Sequence, residues 1–223
     1  MGAPAGMIDL VELMMASQVG IQFAHQQESA PGVEPMYPLL LGPTAPGTMA
    51  EMKNASGWPA DGYTFDANYI RQTFTEVDDN AADYNNPKTY KMFTQPIIWM
   101  PRYYAPGTPP TPVQSPSAYV EYLNGVVQKP ADLGGPTETT FSGPYTDQNF
   151  GGNVGPVPYY LQTYKYNPAF GAMEQNCYVW GIGRVRWELF GIGANGLYAL
   201  KQTSLYNSSV PGPCPKLAWQ GTL

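Results

Sequence analysis

The chain has 223 residues, with eleven basic and seventeen acidic side chains, a net charge of −6 and a single histidine. Gly and Pro number 24 each and only 13% of residues are charged, about half the usual share. Phosphate affinity rests largely on clustered Lys and Arg, so direct nucleic-acid binding is not expected; no apolar run approaches the ~20 residues of a transmembrane helix. Aromatic residues, 17 of them Tyr, provide the buried faces that disordered chains lack. The expectation is one folded domain over residues 1–223, with a weakly charged surface suited to contact with other protein.

The N-terminal segment, residues 1–17, lacks the basic start of a signal peptide and carries Asp9 and Glu12 within its apolar part. Gly6 stands where a myristoylation signal needs Ser or Thr. The segment therefore suggests cytoplasmic synthesis or a leader already removed. Leu10, Val11 and Met14 share one helical face and predict a short amphipathic helix over residues 8–16. Val19, Ile21 and Phe23 then alternate with polar residues, as in a half-buried strand, with His25 in phase.

Residues 29–64 hold six prolines, which lack a ladder donor, and are expected to form an extended arm. Tyr37, Leu39 and Leu41 within it need cover from the core or from a neighbouring chain. A strand is predicted from Tyr63 to Val77 with a break near Asp66, then a polar loop. Another follows from Tyr90 to Tyr104, broken by Pro96. Residues 101–117 contain six prolines and read as a second arm, partly polyproline II. Asn124-Gly125 between AYVEYL and VVQK predicts a type I′ hairpin over Ala118–Lys129. Residues 130–158 read as a third arm, and Tyr159–Tyr166, Val179–Phe190 and Leu197–Thr203 as strands. Short strands with regular turn signals make the fold class all-β, a jelly-roll-like β-sandwich with long Pro/Gly-rich loops and a short N-terminal helix.

Few residues suit catalysis. GIGANG, residues 191–196, matches G-x-G-x-x-G, but no helix pattern or later acidic residue follows it, so it reads as a hairpin turn. Val185, Trp187 and Leu189 are expected on one face of the preceding strand, with Arg184, Arg186 and Glu188 on the other. The parity of apolar residues changes before it, which suggests one long strand bent at Gly181–Gly183. His25 alone cannot complete a triad without a nucleophile elbow, and one His with two distant Cys does not make a zinc site. No enzyme activity, cofactor or metal is expected. Glu76, Asp78, Asp79 and Asp83 gather oxygen ligands in loop 76–83, but without EF-hand spacing they read as a solvated loop. Cys177 and Cys214 are either one disulfide or two separate thiols. Tyr103, Tyr104, Tyr160, Tyr164 and Tyr166 form phenolic faces that serve packing or an interface, with sugar stacking as the alternative.

GRVRWELFG, residues 183–191, resembles the late strand of single jelly-roll viral coat proteins, of the form G-x-V-x-[YW]-E-L. The resemblance covers under ten residues. It implies a sandwich that tiles a shell, a location in the virion, and partners that are copies of itself and other structural proteins. This chain has no Lys or Arg before Lys53 and so departs from family members that carry a basic genome-binding arm. The expected function is a structural, self-assembling capsid or virion-associated protein. The alternative is an extracellular or surface β-sandwich that binds carbohydrate.

Overall fold

The computed structural model describes residues 3–15, 22–27, 30–33, 37–53, 58–76, 89–132, 136–146, 158–165, 171–180 and 183–205. Among these the chain is nearly all β, with one short helix. Strand β1 (Ile8–Asp9) leads directly into helix α1 (Leu10–Met15). Asp9 starts the helix because its Oδ1 accepts a hydrogen bond from the Val11 N–H at 3.0 Å, the capping role an Asp side chain suits. Leu10, Val11, Leu13 and Met14 are all buried, so the helix plugs the core as its sequence period predicts.

The next seven strands are β2 (Gln22–Gln27), β3 (Ala30–Val33), β4 (Tyr37–Ala45), β5 (Thr48–Lys53), β6 (Trp58–Phe65), β7 (Tyr69–Glu76) and β8 (Thr89–Pro101). They correct the reading of residues 29–64 as a wandering arm, since β3 to β6 fill most of it. Pro38, Pro43 and Pro59 all stand in register with a neighbouring strand, opposite Gln22, Met49 and Met52. Asp66 breaks β6 from β7 as expected, its Oδ1 accepting from the N–H groups of Asn68 and Tyr69. Pro96 does not end β8. It sits exposed where the ladder to β7 slips, between Phe74↔Met92 and Gln72↔Ile97.

The remaining strands are β9 (Tyr103–Tyr104), β10 (Val113–Ser115), β11 (Tyr119–Leu123), β12 (Val126–Asp132), β13 (Thr137–Tyr145), β14 (Tyr159–Lys165), β15 (Ala172–Val179), β16 (Gly183–Ile192) and β17 (Tyr198–Leu205). Residues 105–112 form no strand, in keeping with their prolines. Strand β13 overturns the reading of 130–158 as an arm; its alternating Thr and Phe face a buried layer. The ladder runs β10-β13-β14-β15-β16-β17-β2-β4-β5-β6-β7-β8-β11-β12, with β3 on β2. Most neighbours are consecutive in sequence, as in a meander.

Strands β15 and β16 pair antiparallel. The parity change near Gly183 therefore marks a chain reversal, not one long bent strand. The irregularity in that ladder lies further on, where Cys177↔Arg186 is followed by Tyr178↔Arg184. Val185 is the extra residue of this bulge.

Two layers face each other across the core. Met49, Tyr63, Ile70, Ile97, Trp99 and Met100 from β5 to β8 meet Phe141, Tyr160, Tyr164 and Tyr178 from β13 to β15, with α1 closing one end. A buried polar relay joins the layers. Gln162 Nε2 donates to Trp99 O at 3.1 Å, Asn176 Nδ2 to Gln162 Oε1 at 2.7 Å, and Arg184 Nη1 to Asn176 Oδ1 at 3.3 Å.

Candidate interaction surface

The residues singled out from the sequence scatter. Tyr104, Tyr160 and Tyr164 are 6%, 9% and 3% exposed. Of the two roles expected for these phenols, packing is the one they take here; as interface residues they are corrected, because a side chain already covered by its own chain is not available to a neighbour. The Tyr104 hydroxyl lies 2.9 Å from Thr108 O and 3.0 Å from Gly143 O, and burial holds both the Tyr104 and Tyr164 phenols above their usual range. Tyr103 is half-buried beneath the Arg102 guanidinium. Tyr37, Leu39 and Leu41 lie on β4, and their side chains, with all of Tyr166, fall outside the described residues, as does loop 77–88. His25 sits on β2 opposite Ser204. Cys177 is a buried free thiol, pushed up to about 12 by desolvation; Cys214 lies outside the described residues.

The surface that stands out is built on the hairpin that Asn124-Gly125 predicts. Beyond Pro96 toward its N-terminus, β8 leaves the core and carries β11 and β12 with it. No described side chain from Tyr90 to Pro96, or from Tyr119 to Gln128, is buried. These strands form a wing exposed on both faces. The Asn124-Gly125 turn at its tip has φ of 50° and 78°, as a type I′ hairpin requires. Register assigns the faces. Phe74↔Met92↔Val120 and Tyr90↔Tyr122↔Val127 form two cross-strand rows on one face. Phe93↔Tyr119, Lys91↔Glu121↔Lys129 and Leu123↔Val126 lie on the other.

Ring contacts agree with that assignment. Phe74 meets Tyr90 edge-on at 6.0 Å, and Phe93 meets Tyr119 at 6.5 Å. Lys91 Nζ stands 5.0 Å over the Tyr119 ring. Phe93 also packs against the main core, so the face it shares is the inward one and the Phe74 face is outward. Val126 and Val127, neighbours in sequence but on opposite faces, are 63% and 53% exposed, and Met92 is 41% exposed. Antiparallel sheets normally cover at least one face; here Met92 and Val127 on one face and Leu123 and Val126 on the other are all exposed. The signal was present in the sequence: apolar residues occupy both parities of AYVEYL and VVQK, leaving no wholly polar face.

A second unforeseen feature is charge inside the protein. The alternation in RVRWEL predicts Arg186 and Glu188 outward, with Arg184. The bulge at Val185 separates them. Arg184 joins the Tyr178 and Asn176 face, whereas Arg186 and Glu188 stand opposite Cys177 and Gln175. Arg186 is 1% and Glu188 3% exposed, while Trp187 and Leu189 are only half-buried. Desolvation lifts the Glu188 carboxyl to about 7, partly offset by the nearby Arg186 charge. Desolvation likewise lowers the Arg186 guanidinium from its usual value. The hydrophobic neighbours on this side are Tyr159, Leu161, Val179 and Val185.

Among the described residues, no group of three or more His, Cys, Asp or Glu is placed to hold a metal ion. No helix among the described residues is long and apolar enough to cross a membrane. No protein family, curated protein or solved structure matches the chain.

Proposed function

We propose that this chain is a structural, self-assembling coat component of a virion, working through protein–protein contacts and without a catalytic step. The observation that carries the reading is the wing. Strands β8, β11 and β12 expose Met92, Leu123, Val126 and Val127 on two faces, in a chain with only 13% charged residues. An assembling protein buries such side chains against its neighbours, and this supports the reading. The jelly-roll character of the sandwich belongs to the same proposal and rests on the resemblance of GRVRWELFG. The consecutive strand order departs from a roll built of two Greek keys. Partners are further copies and other shell proteins, with no direct contact to nucleic acid.

Size-exclusion chromatography with light scattering, followed by negative-stain microscopy of concentrated protein, tests the reading. The expected result is a mass that grows with concentration and regular particles or sheets. A strictly monomeric protein that is retained on a glycan array would sink it in favour of carbohydrate binding.

A further inference from the structure

We infer that Glu188 is held as a neutral carboxylic acid whose O–H donates to Gln175 Oε1, forming a proton-operated latch between β16 and β15. The inference is independent of the assembly reading above. Its starting observation is an acceptor without a donor. Gln175 is 2% exposed, and its Oε1 is buried without a hydrogen-bond partner. A bare buried acceptor costs its full desolvation, so such groups are normally satisfied. Register places Glu188 directly opposite, at Gln175↔Glu188. Residues so paired start about 4.5–5.5 Å apart at Cβ, within reach of each other for a Gln and a Glu. Thr163 flanks Gln175 on β14, and Thr203 stands opposite Glu188 on β17. The pair therefore sits in the middle of a cross-strand row, away from either sheet edge.

One protonation state of Glu188 fits that partner. A carboxylate only accepts, and two acceptors face to face repel; a carboxylic acid has one O–H to give. Glu188 is 3% exposed, and burial penalises its charged form more than the Arg186 charge favours it. The other described titratable groups leave that balance in place. Cys177, opposite Arg186 on β15, is kept as a thiol by burial. Tyr159 of β14 acts on Arg186. Lys165 of β14 and Glu138 of β13 form an ion pair at 2.7 Å. Glu174 lies on the opposite face of β15, in register with Leu189. Above neutral pH the acid gives its proton to solvent, the O–H···O bond is lost, and the two strands are left with a buried carboxylate facing an amide oxygen. An amide turned the other way would offer N–H to Glu188 and favour the ionised form. The two arrangements respond to pH in opposite directions.

A double-mutant cycle of Gln175→Leu and Glu188→Leu, measured by urea unfolding of the full chain at about pH 5 and about pH 9, tests the latch. At pH 5 the coupling is expected to be about 2–13-fold in the unfolding constant, the worth of one neutral hydrogen bond. At pH 9 it is expected to vanish or reverse. Glu188→Gln carries an amide N–H that donates to the same oxygen in both conditions, and is expected to hold its pH 5 stability at pH 9. Infrared difference spectra between the two pH values are expected to show a carboxylic-acid C=O band in wild type that is absent from Glu188→Gln. Should a leucine variant unfold, the band itself decides: in Gln175→Met it is expected to move to the frequency of an unbonded acid. Coupling that is equal at the two pH values, or larger at pH 9, overturns the latch. So does a wild-type spectrum without the Glu188 band at pH 5, or a band that Gln175→Met leaves in place.

Discussion

Arg102 fastens the N-terminal segment to the sandwich, and its removal is the sharpest test of the packing. Its Nε and Nη2 each donate to one oxygen of Asp9 at 2.7 Å, and its Nη1 donates to Asp66 O at 3.2 Å. The guanidinium lies 4.8 Å over the Phe65 ring and 5.2 Å over the Tyr103 ring. Backbone bonds lock the same residue, from Leu10 N–H to Arg102 O and from Arg102 N–H to Asn68 O. The side chains of Arg102 and Asp9 are 16% and 6% exposed. Arg102→Ala leaves the Asp9 carboxylate buried without this partner. Removing one member of a buried pair costs about 3–5 kcal/mol, and the residual exposure of Arg102 places this pair near the lower end, ~3 kcal/mol. Arg102→Lys keeps a charge but loses the two-pronged geometry, so it is expected to cost about half as much. Urea unfolding at pH 7 with linear extrapolation measures both, and a double-mutant cycle with Asp9→Ala isolates the coupling. A loss under about 1 kcal/mol in Arg102→Ala, the range of exposed pairs, would refute the claim that this contact holds α1 in the core.

Other consequences are equally direct. Glu188 is lifted to about 7 by burial, so its contribution to stability is full below its unfolded value near 4.3 and is lost as pH rises through 7. Glu188→Gln is expected to flatten this part of a stability–pH profile; an unchanged slope between pH 5 and 8 would contradict the burial of that carboxyl. Asp66 behaves oppositely. Its carboxyl is lowered to about 2, first by the Asn68 and Tyr69 N–H groups and then by Arg71. Its support is present above pH ~4 and fades as pH falls toward 2. Because the group is exposed, Asp66→Asn at neutral pH is expected to cost only about 1 kcal/mol or less in urea unfolding. Gln162→Leu deprives Trp99 O and Asn176 Nδ2 of their partner; thermal or urea melts are expected to show a loss of about 1–3 kcal/mol. Cys177, buried with its thiol pushed up to about 12, is expected to resist alkylation in the native protein and to react in urea, as mapped by peptide mass spectrometry.

The sequence period carried some elements through to the fold and failed at others for identifiable reasons. Helix α1 was legible because Leu10, Leu13 and Met14 repeat with the turn of a helix and all reach the core. The hairpin at Asn124-Gly125 was legible because positive φ favours those residues. The hairpin after Ile192 was equally legible, with Gly196 at φ 74°. Strands β4 and β13 run against their proline and glycine content because strand pairing is set by non-local neighbours, which local composition does not state; Pro38 and Pro43 stand in register with Gln22 and Met49. Arg186 and Glu188 keep the side that alternation gives them, opposite Trp187 and Leu189, but that side is covered as well, by the cluster of Tyr159, Leu161 and Val179. The single-residue bulge at Val185 turns Arg184 to the Tyr178 and Asn176 face. Tyr160 and Tyr164 were read as a phenolic face, and the face is real; what local sequence does not state is that β8 lies across it. The wing was hidden for a related reason, since apolar residues on both sides of a strand usually signal burial.

Strand β8 spans thirteen residues and belongs to two environments. Its Ile97–Met100 portion is fixed in the core, while its first half forms the root of the wing, between β7 and β11. A pull on the wing along the strand is transmitted through one continuous backbone. The hydrogen bonds to β7 and β11 then resist in shear, sharing the load, instead of opening one at a time as they would if peeled. Such a strand works as a tension member: force applied to the wing ends in the Trp99 layer, where the Gln162 contact to Trp99 O receives it.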